Sequence, residues 1–318
     1  MRRRPLTEVS SRELRALLDE EVAYWGEELL WDFRDISSAV ASSLDHRALT
    51  GYVIQDGPRA IAYGYYMLEC ERVILGSLFA SAGFRQQGLE DGLLETLLLD
   101  AQRHPGNDRV ECQTLFSTLG SGLPYFAKAG FESRGRHYLV RELNGSMPSL
   151  PQGFMPRTFR RDDIARASWI VYRSHQGSLD AALNLTYSSV ASCRNFIETV
   201  VLREGCGRFE PEASFVAEGP EGPWGILLAS RLSRTNGHIC QVSVLPEAQA
   251  QGLGAGLMAW ALHALRREGM NAASLSVTVD NRGAYRLYER LGFRLHKEFA
   301  AHAWVRPPAR IELPGTGQ

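Results

Sequence analysis

A glycine-rich stretch at residues 249–256, Gln-Ala-Gln-Gly-Leu-Gly-Ala-Gly, constrains the fold of this chain more than any other feature. The run before it, residues 238–246, alternates apolar and polar side chains as a β-strand does. The run after it repeats apolar residues at helical spacing, namely Leu257, Met258, Ala261, Leu262 and Leu265. The glycines therefore lie at a turn from a strand into a helix.

This turn has the chemistry of an anion-binding site. A helix N-terminus carries N–H groups without intrahelical partners and the positive end of the helix dipole. Gly252, Gly254 and Gly256 have no Cβ, so an anionic ligand can approach those N–H groups closely. A Walker loop needs a Gly-Lys-Ser/Thr run, which is absent, and a dinucleotide fingerprint needs G-x-G-x-x-G spacing. The turn is therefore predicted to bind the pyrophosphate of another class of ligand.

Two motifs in this region resemble those of the GNAT acetyltransferase superfamily. Gln249, Gly252 and Gly254 match the family's Q-x-x-G-x-G pattern for acetyl-CoA. Residues 281–293 match its closing pattern N-x-x-A-x-x-L-Y-x-x-x-G-F, although a plain amphipathic helix with a glycine stop would also explain them. The resemblance implies an acetyl-CoA-dependent N-acetyltransferase in which Tyr288 protonates the departing thiolate.

The resemblance also assigns residues to the cosubstrate. Backbone amides of the glycine-rich loop would bind the CoA pyrophosphate, and backbone groups of the preceding strand would pair with the pantetheine arm and polarise the thioester carbonyl. A phenol of pKa about 10 is close to matched to a thiol of pKa about 8.5, which suits Tyr288 to its role. The predicted acetyl-CoA-binding residues are Val242, Val244, Gln249, Gln251, Gly252, Leu253, Gly254, Ala255, Gly256 and Asn281.

A degenerate repeat of this region lies in the first half of the chain. Residues 85–94 align with residues 249–258, so that Gly88 and Gly252 are 164 positions apart, and residues 123–131 copy the end of the closing motif. This repeat predicts an α/β (α+β) fold of two tandem GNAT-like domains, each with a mostly antiparallel central sheet flanked by helices. The predicted boundaries are 1–144 for the first domain, 145–153 for a linker rich in Gly, Pro and Ser, and 154–318 for the second domain.

The copy departs from the pattern where chemistry would need it. Glu90, Asp91, Phe126 and Leu119 stand in place of Gly254, Ala255, Tyr288 and Asn281. Two carboxylates near a pyrophosphate are repulsive, and their side chains block approach to the backbone. The first half is therefore predicted to keep the fold but not to bind CoA, and acetyl-CoA is expected in the second half.

Composition excludes several other classes of function. The net charge of the 318 residues is −1, so no basic field attracts nucleic acid. No apolar run approaches the roughly 20 residues of a membrane span, and no signal-peptide core follows the basic start. The five cysteines, Cys70 among them, have no C-x-x-C spacing. A cytoplasmic protein with reduced thiols and no metal is predicted, one that binds neither nucleic acid nor membrane.

Local patterns predict several further elements. Residues 10–33 have helical spacing, and Trp25, Trp31 and Phe33 in this segment either pack in a core or line a pocket. Residues 293–299 and 302–305 are predicted to form a closing hairpin.

Acceptor selection is predicted to lie in residues 173–189, a polar segment predicted as a loop between two helices. An amine of pKa about 10 is neutral in only about one molecule in 2,500 at pH 7, so the reaction needs a group that takes up its proton. The polar residues of the segment that could bind an amine or a sugar are His175, Asp180, Asn184 and Tyr187. The candidates for the base are His238, Glu247 and His175, with Ser243 as a ligand for water or substrate.

The predicted function is direct transfer of an acetyl group from acetyl-CoA to an amine of a small molecule or peptide. Two alternatives stay open at this point. One is a CoA-binding regulator or scaffold without turnover, and the other is a mycothiol-synthase-like acetyltransferase. A homodimer is also compatible with the sequence.

Overall fold

The computed structural model describes residues 1–69, 72–85, 87–119 and 122–307. Its first half is a mixture of strands and helices, in which a helix follows the turn at Gly88 of the degenerate repeat. The bounds are β1 Arg2–Pro5, α1 Ser11–Leu29, α2 Arg34–Asp45, β2 Thr50–Asp56, β3 Arg59–Leu68, β4 Val73–Ala80, α3 Leu89–Arg103, β5 Arg109–Gln113, α4 Leu123–Lys128 and β6 Glu132–Glu142.

The second half has elements in a similar order. Gly252 and its counterpart Gly88 both adopt a left-handed conformation, with φ of 82° and 76°, immediately before a helix. The bounds are β7 Arg157–Thr158, α5 Ile164–His175, α6 Leu179–Leu183, α7 Val190–Leu202, β8 Arg208–Phe209, β9 Phe215–Gly219, β10 Gly222–Arg231, β11 Asn236–Val244, α8 Leu253–Arg267, β12 Ala272–Thr278, α9 Arg282–Arg290 and β13 Arg294–Val305. The domain boundaries stay a prediction.

The two halves exchange their last strands within one 13-stranded sheet. β6 of the first half pairs antiparallel with β12 of the second half, and β13 of the second half pairs antiparallel with both β5 and β6. The order along the sheet is β1-β2-β3-β4-β5-β13-β6-β12-β11-β10-β9-β7, and the thirteenth described strand, β8, pairs with β10 beside this path. Each half is therefore completed by a strand from the other.

This exchange corrects the predicted closing hairpin. Residues 294–305 form the single strand β13 and do not turn back at residues 300–301. The strand continues because β5 and β6 supply backbone partners on its two sides, which leaves no reason for the segment to pair with itself. The turn expected there was wrong.

Helices cover both faces of the sheet, and β6 shows how the two cores meet. Tyr138 is buried with α1 and α2 in the first-half core, and its hydroxyl donates to the Leu29 carbonyl at 2.8 Å. The next residue, Leu139, points to the opposite face and is buried with α8 of the second half. Because side chains alternate along a strand, one element from the first half contributes to both cores.

Two other predicted elements differ from the structure. The helix expected at residues 10–33 ends at Leu29, because Leu30 takes a left-handed conformation with φ of 55°, and α2 begins only at Arg34. Trp25 and Phe33 pack in the core, whereas Trp31 is only partly buried. The segment predicted as a loop at residues 173–189 contains the short helix α6. Cys70 lies outside the described residues, and the other four cysteines are free thiols.

The exchanged strand predicts a joint unfolding transition. Phe299 on β13 is 3% exposed and is buried in the first-half core. Phe299→Ala is expected to lower the free energy of unfolding of the whole chain by about 3–5 kcal/mol, since it leaves a cavity in a core that both halves share. Denaturant titration and calorimetry should show one transition, shifted as a unit.

A matched control lies on the same strand. Leu295 is 46% exposed, so Leu295→Ala should change the free energy of unfolding by no more than about 0.5 kcal/mol. Two separate transitions, with Phe299→Ala affecting just one of them, would contradict a shared core.

Candidate functional site

The second half contains a gap between two parallel strands. β11 and β12 pair over Asn236–Ile239 and Ala272–Leu275, and their register ends there although both strands continue. Leu228 of β10 pairs with Gln241 whereas Ala229 pairs with Ile239, so Cys240 is the extra residue of a β-bulge. The edge of β11 that faces β12 at residues 241–244 is consequently without a ladder partner among the described strands.

The glycine-rich loop lies at the end of this gap. Gly252 caps α8, and the first backbone bond of the helix runs from the Gly256 N–H to the Gly252 carbonyl at 2.9 Å. The amides of residues 253–255 precede that bond and have no intrahelical acceptor. A Cβ on Gly254 would meet only Val244, at 3.9 Å, so the space over these amides is open. The loop can bind a phosphate or pyrophosphate.

Other residues of the loop have structural contacts. A Cβ on Gly256 would come within 2.7 Å of the Phe154 ring, so this glycine is needed for packing and faces the protein. The Gln249 side chain donates to the Val244 carbonyl at 3.0 Å, and that of Gln251 donates to the Glu247 carbonyl at 3.3 Å. These bonds keep the loop folded back on the end of β11. Contact of Gln249, Gln251 and Gly256 with CoA stays a prediction.

Tyr288 on α9 lies beside the gap. It is 8% exposed and belongs to the core cluster that includes Val277 of β12 and packs against Val242 of β11. Burial, and secondarily the charge of Asp180, raise the pKa of the Tyr288 phenol to about 12. The hydroxyl is therefore protonated at neutral pH.

Asn281 has a local role at the start of the same helix. Its side-chain oxygen accepts a hydrogen bond from the Ala284 N–H at 3.1 Å and caps α9. Its predicted contact with CoA stays a prediction.

On the opposite face of the sheet, side chains from both halves form a cluster that we call the inter-half cleft. We define it by Trp31, Arg136 and Tyr138 of the first half and by Tyr187 and His238 of the second. The His238 ring stacks between Tyr138, at 6.1 Å, and Trp31, at 6.5 Å between ring centroids. The Tyr187 hydroxyl donates to Gln241 beside the bulge at 3.4 Å. The cleft therefore reaches the strand that borders the gap.

The ring of His238 is neutral at pH 7. Burial, and after it the charge of Arg136, lower the pKa of His238 to about 4. Its Nδ1 lies 3.0 Å from the Ser274 hydroxyl. Burial likewise lowers the pKa of His175, which stacks on Tyr187 at 3.9 Å. Both histidines can accept a proton without first having to lose one.

The other polar candidates are more constrained. Glu247 is at the surface, where Arg173 approaches it to 3.8 Å. The Asp180 carboxylate accepts a hydrogen bond from the Thr278 hydroxyl on β12. The Ser243 hydroxyl bonds to Ser174 on α5 at 3.0 Å. The structure thus brings His175, Asp180 and Ser243 towards the gap and leaves Glu247 outside it.

The equivalent space of the first half is narrowed to a small cavity lined by β4, β5, Leu119 and Phe126. Glu90 is 1% exposed and accepts a hydrogen bond from the Thr118 hydroxyl at 3.0 Å. Phe126, at the position of Tyr288, stacks on His302 at 3.6 Å. Beyond the ladder of β4 and β5, Leu78 and Ser117 form a further bridge. These contacts replace the open gap of the second half and agree with a degenerate first half.

The first half also fixes part of the predicted acceptor segment. Glu111 on β5 accepts a hydrogen bond from the Leu185 N–H at 2.8 Å. Arg72 pairs with the same carboxylate at 2.5 Å and reaches Asn184 at 3.4 Å. The loop after α6 is therefore attached to the other half of the chain.

Sequence reasoning named Trp31 as a residue that could line a pocket but missed the other two first-half members of the cleft. Arg136 and Tyr138 lie on β6, which reads locally as an ordinary strand. Only its placement between β12 and β13 brings them to the second half. No local pattern reveals such pairing, because it joins residues more than a hundred positions apart.

The described residues offer no candidate metal site and no candidate membrane-spanning helix. Groups of three or more His, Cys, Asp or Glu arranged to bind a metal ion are absent from them. None of their helices combines the length and apolar character needed to cross a bilayer.

Comparison with known proteins gives a consistent picture. The model of the acetyltransferase (GNAT) family matches residues 184–293. A mycothiol acetyltransferase of Streptomyces griseus is 29% identical over 69% of this chain and 75% of its own. One from Geodermatophilus obscurus is 28% identical over 83% and 80%.

Solved structures extend the comparison to the fold. A tandem GNAT protein from the clavulanic acid biosynthesis pathway matches with a TM-score of 0.58 at 15% identity, over 97% of this chain and 99% of that one. A GCN5-related N-acetyltransferase from Sphaerobacter thermophilus has a TM-score of 0.59 at 22% identity, over 81% of both chains. At these identities the match concerns the fold alone, and it confirms the predicted fold class.

The open space over the loop predicts how acetyl-CoA binding can be abolished. Gly254→Glu imports the carboxylate of Glu90 and should lower acetyl-CoA affinity at least about 100-fold, by repulsion and by blocking the amides. Isothermal titration of wild type and variant with acetyl-CoA measures this. Gly83→Glu adds the same charge at an open, exposed position of the first half and should leave affinity unchanged. Two binding sites in the wild type, or unchanged binding in Gly254→Glu, would show that the first half binds CoA.

Proposed function

The chain belongs to the GNAT acetyltransferase superfamily, and from this we propose that its second half transfers an acetyl group from acetyl-CoA to an amine held in the inter-half cleft. One observation supports this most: the gap between β11 and β12 has free helix N–H groups at its end and Tyr288 at its side. A cosubstrate with a pyrophosphate and a thioester needs both features.

Acetyl-CoA would supply the activated acetyl group, and the described residues would position it. The amides of residues 253–255 would bind the pyrophosphate. The unpaired edge of β11 at residues 241–244 would bind the pantetheine arm, since its backbone groups otherwise lack partners. An N–H beside the bulge at Cys240 would polarise the thioester carbonyl.

Tyr288 would protonate the leaving thiolate. Its pKa of about 12 makes the phenol a weaker acid than an exposed tyrosine. The same burial also raises the pKa of a thiol in that gap, because low polarity disfavours any anion. The two groups therefore shift in the same direction, and the proton can still pass from oxygen to sulfur.

His238 is the base that the geometry favours. With a pKa of about 4 it cannot deprotonate an alkylammonium ion, so the amine must react from its small neutral fraction. Once the attacking nitrogen gains positive charge, its proton becomes acidic enough for a neutral imidazole to accept. His175 is the second choice, since its Nδ1 is already 2.9 Å from the Val171 carbonyl.

The acceptor is proposed from the relatives and from the cleft. Relatives at 28–29% identity are named mycothiol acetyltransferases, so the unacetylated mycothiol precursor is the first acceptor to test. Other small amines and peptides would be acetylated by the same reaction and are further acceptors to test. A cytoplasmic location and a homodimer stay predictions.

A CoA-binding regulator without turnover is the second candidate. It would need the loop but not a buried phenol beside the thioester. The placement of Tyr288 against β11 and β12 therefore favours catalysis.

Tyr288→Phe separates these candidates. It should lower kcat about 10²- to 10⁴-fold and leave the Kd of acetyl-CoA unchanged, because it removes the proton-donating hydroxyl without altering the packing of the ring. Fixed-time assays of acetyl transfer measure kcat, and isothermal titration with acetyl-CoA measures the Kd. Tyr125→Phe, in the matching helix of the first half, should change neither. Undiminished turnover in Tyr288→Phe would exclude the phenol as the acid.

The low pKa of His238 predicts the pH dependence. Because this ring is neutral above about pH 4, kcat/KM should rise about tenfold per pH unit towards the pKa of the amine, as its neutral fraction grows. Profiles between pH 5 and 9 for two amines of different pKa should be displaced by the difference between those pKa values. A break near pH 6.5 shared by both amines would show instead that an ordinary histidine controls the rate.

A further inference from the structure

Arg136 is the charged member of the inter-half cleft. On β6 it is the register partner of Thr278 in the second half and of Phe299 on the exchanged strand. It is partly buried, two residues from Tyr138, which stacks on His238. Its guanidinium therefore lies where the two halves meet.

The charge of Arg136 has no counter-ion in the described part of the chain. Its guanidinium lies 5.8 Å from the centroid of the Phe299 ring, and its Nε is buried without a hydrogen-bond partner. Arg141 and Arg173 also have an unbonded Nε, but Arg141 donates to the Ser146 carbonyl and Arg173 approaches Glu247. The Nη atoms of Arg136 are not among the buried atoms without a partner, so the end of its guanidinium is open to a ligand between the two halves.

The surroundings do not supply the missing charge. His238 is neutral, and the charge of Arg136 contributes to lowering its pKa. Burial raises the pKa of Tyr187, so this phenol is neutral as well. Asp180, which faces the same region, is bonded to Thr278 and forms no ion pair with Arg136 among the described residues.

We propose that Arg136 binds an anionic group, a carboxylate or a phosphate, on the amine acceptor. This inference rests on the proposed function and narrows it to amines that carry such a group. A guanidinium matches a planar carboxylate or a phosphate with two parallel N–H···O bonds. Arg136 and Tyr138 are two residues apart on one face of β6, and Tyr138 stacks on His238. An anion at Arg136 and an amine near His238 would therefore belong to one small molecule.

Matched pairs of amines test the proposal. A comparison of alanine with alaninamide as acceptors tests recognition of a carboxylate. A comparison of glucosamine 6-phosphate with glucosamine tests recognition of a phosphate. Wild type should acetylate the anionic member of at least one pair with a kcat/KM at least about tenfold higher. Arg136→Met should lower the ratio of kcat/KM for that anionic amine to kcat/KM for its neutral partner about 10- to 100-fold. Arg136→Lys should restore part of the loss, since it keeps the charge but not the paired geometry.

Controls separate binding from folding. Arg134→Met removes the same charge on the same strand, where the guanidinium donates to the Ser133 carbonyl, and should behave as wild type. Activity on the neutral amine and the Kd of acetyl-CoA report whether Arg136→Met is folded. An equal loss on both members of a pair, or no preference in wild type, would overturn the proposal.

The mycothiol precursor distinguishes this inference from the function on which it rests. The precursor is an amine without a carboxylate or phosphate, so if wild type acetylates it in preference to every anionic amine of the test, the anionic acceptor is wrong and the acetyltransferase stands. If the protein binds acetyl-CoA but acetylates neither the precursor nor any of the four amines, the proposed function fails and this inference fails with it.

Discussion

The exchange of β6 and β13 is the pairing on which the rest of the structure depends. A strand needs backbone partners on both edges unless it lies at the edge of a sheet, and each half finds its missing partner in the other. The result is one sheet without an exposed edge at its centre. Separating the halves would uncover both edges and the side chains of Tyr138 and Phe299 together.

This pairing explains why a half without the chemistry of CoA binding remains in the chain. Its own gap is narrowed to a small cavity that Phe126 lines, yet it supplies Trp31, Arg136 and Tyr138 to the inter-half cleft. Through Glu111 it also fixes the loop after α6. In the proposed function, the first half would form a wall of the acceptor site, while the second half would bind the acetyl donor.

Burial sets the charge state of the site. It lowers the pKa values of His175 and His238 and raises that of Tyr288, so all three are neutral at pH 7. A neutral acid and a neutral base suit a reaction in which charge appears only as the bond forms. Because these three groups are neutral, the positive charge of Arg136 would orient an anionic substrate in the proposed site.

The sequence by itself determined the parts of this protein that depend on short-range pattern. The turn at Gly252, the helix that follows, Tyr288 on α9 and the repeat around Gly88 are all set by spacing within about ten residues, where local sterics and helix geometry act. Those features also sufficed for the fold class. The cleft was decided only by tertiary structure. Whether residues 294–305 turn back or run on, and whether Arg136 meets solvent or the second half, depends on which distant strand edge is available. Backbone hydrogen bonds are the same for any partner, so a strand's own residues cannot specify its neighbour.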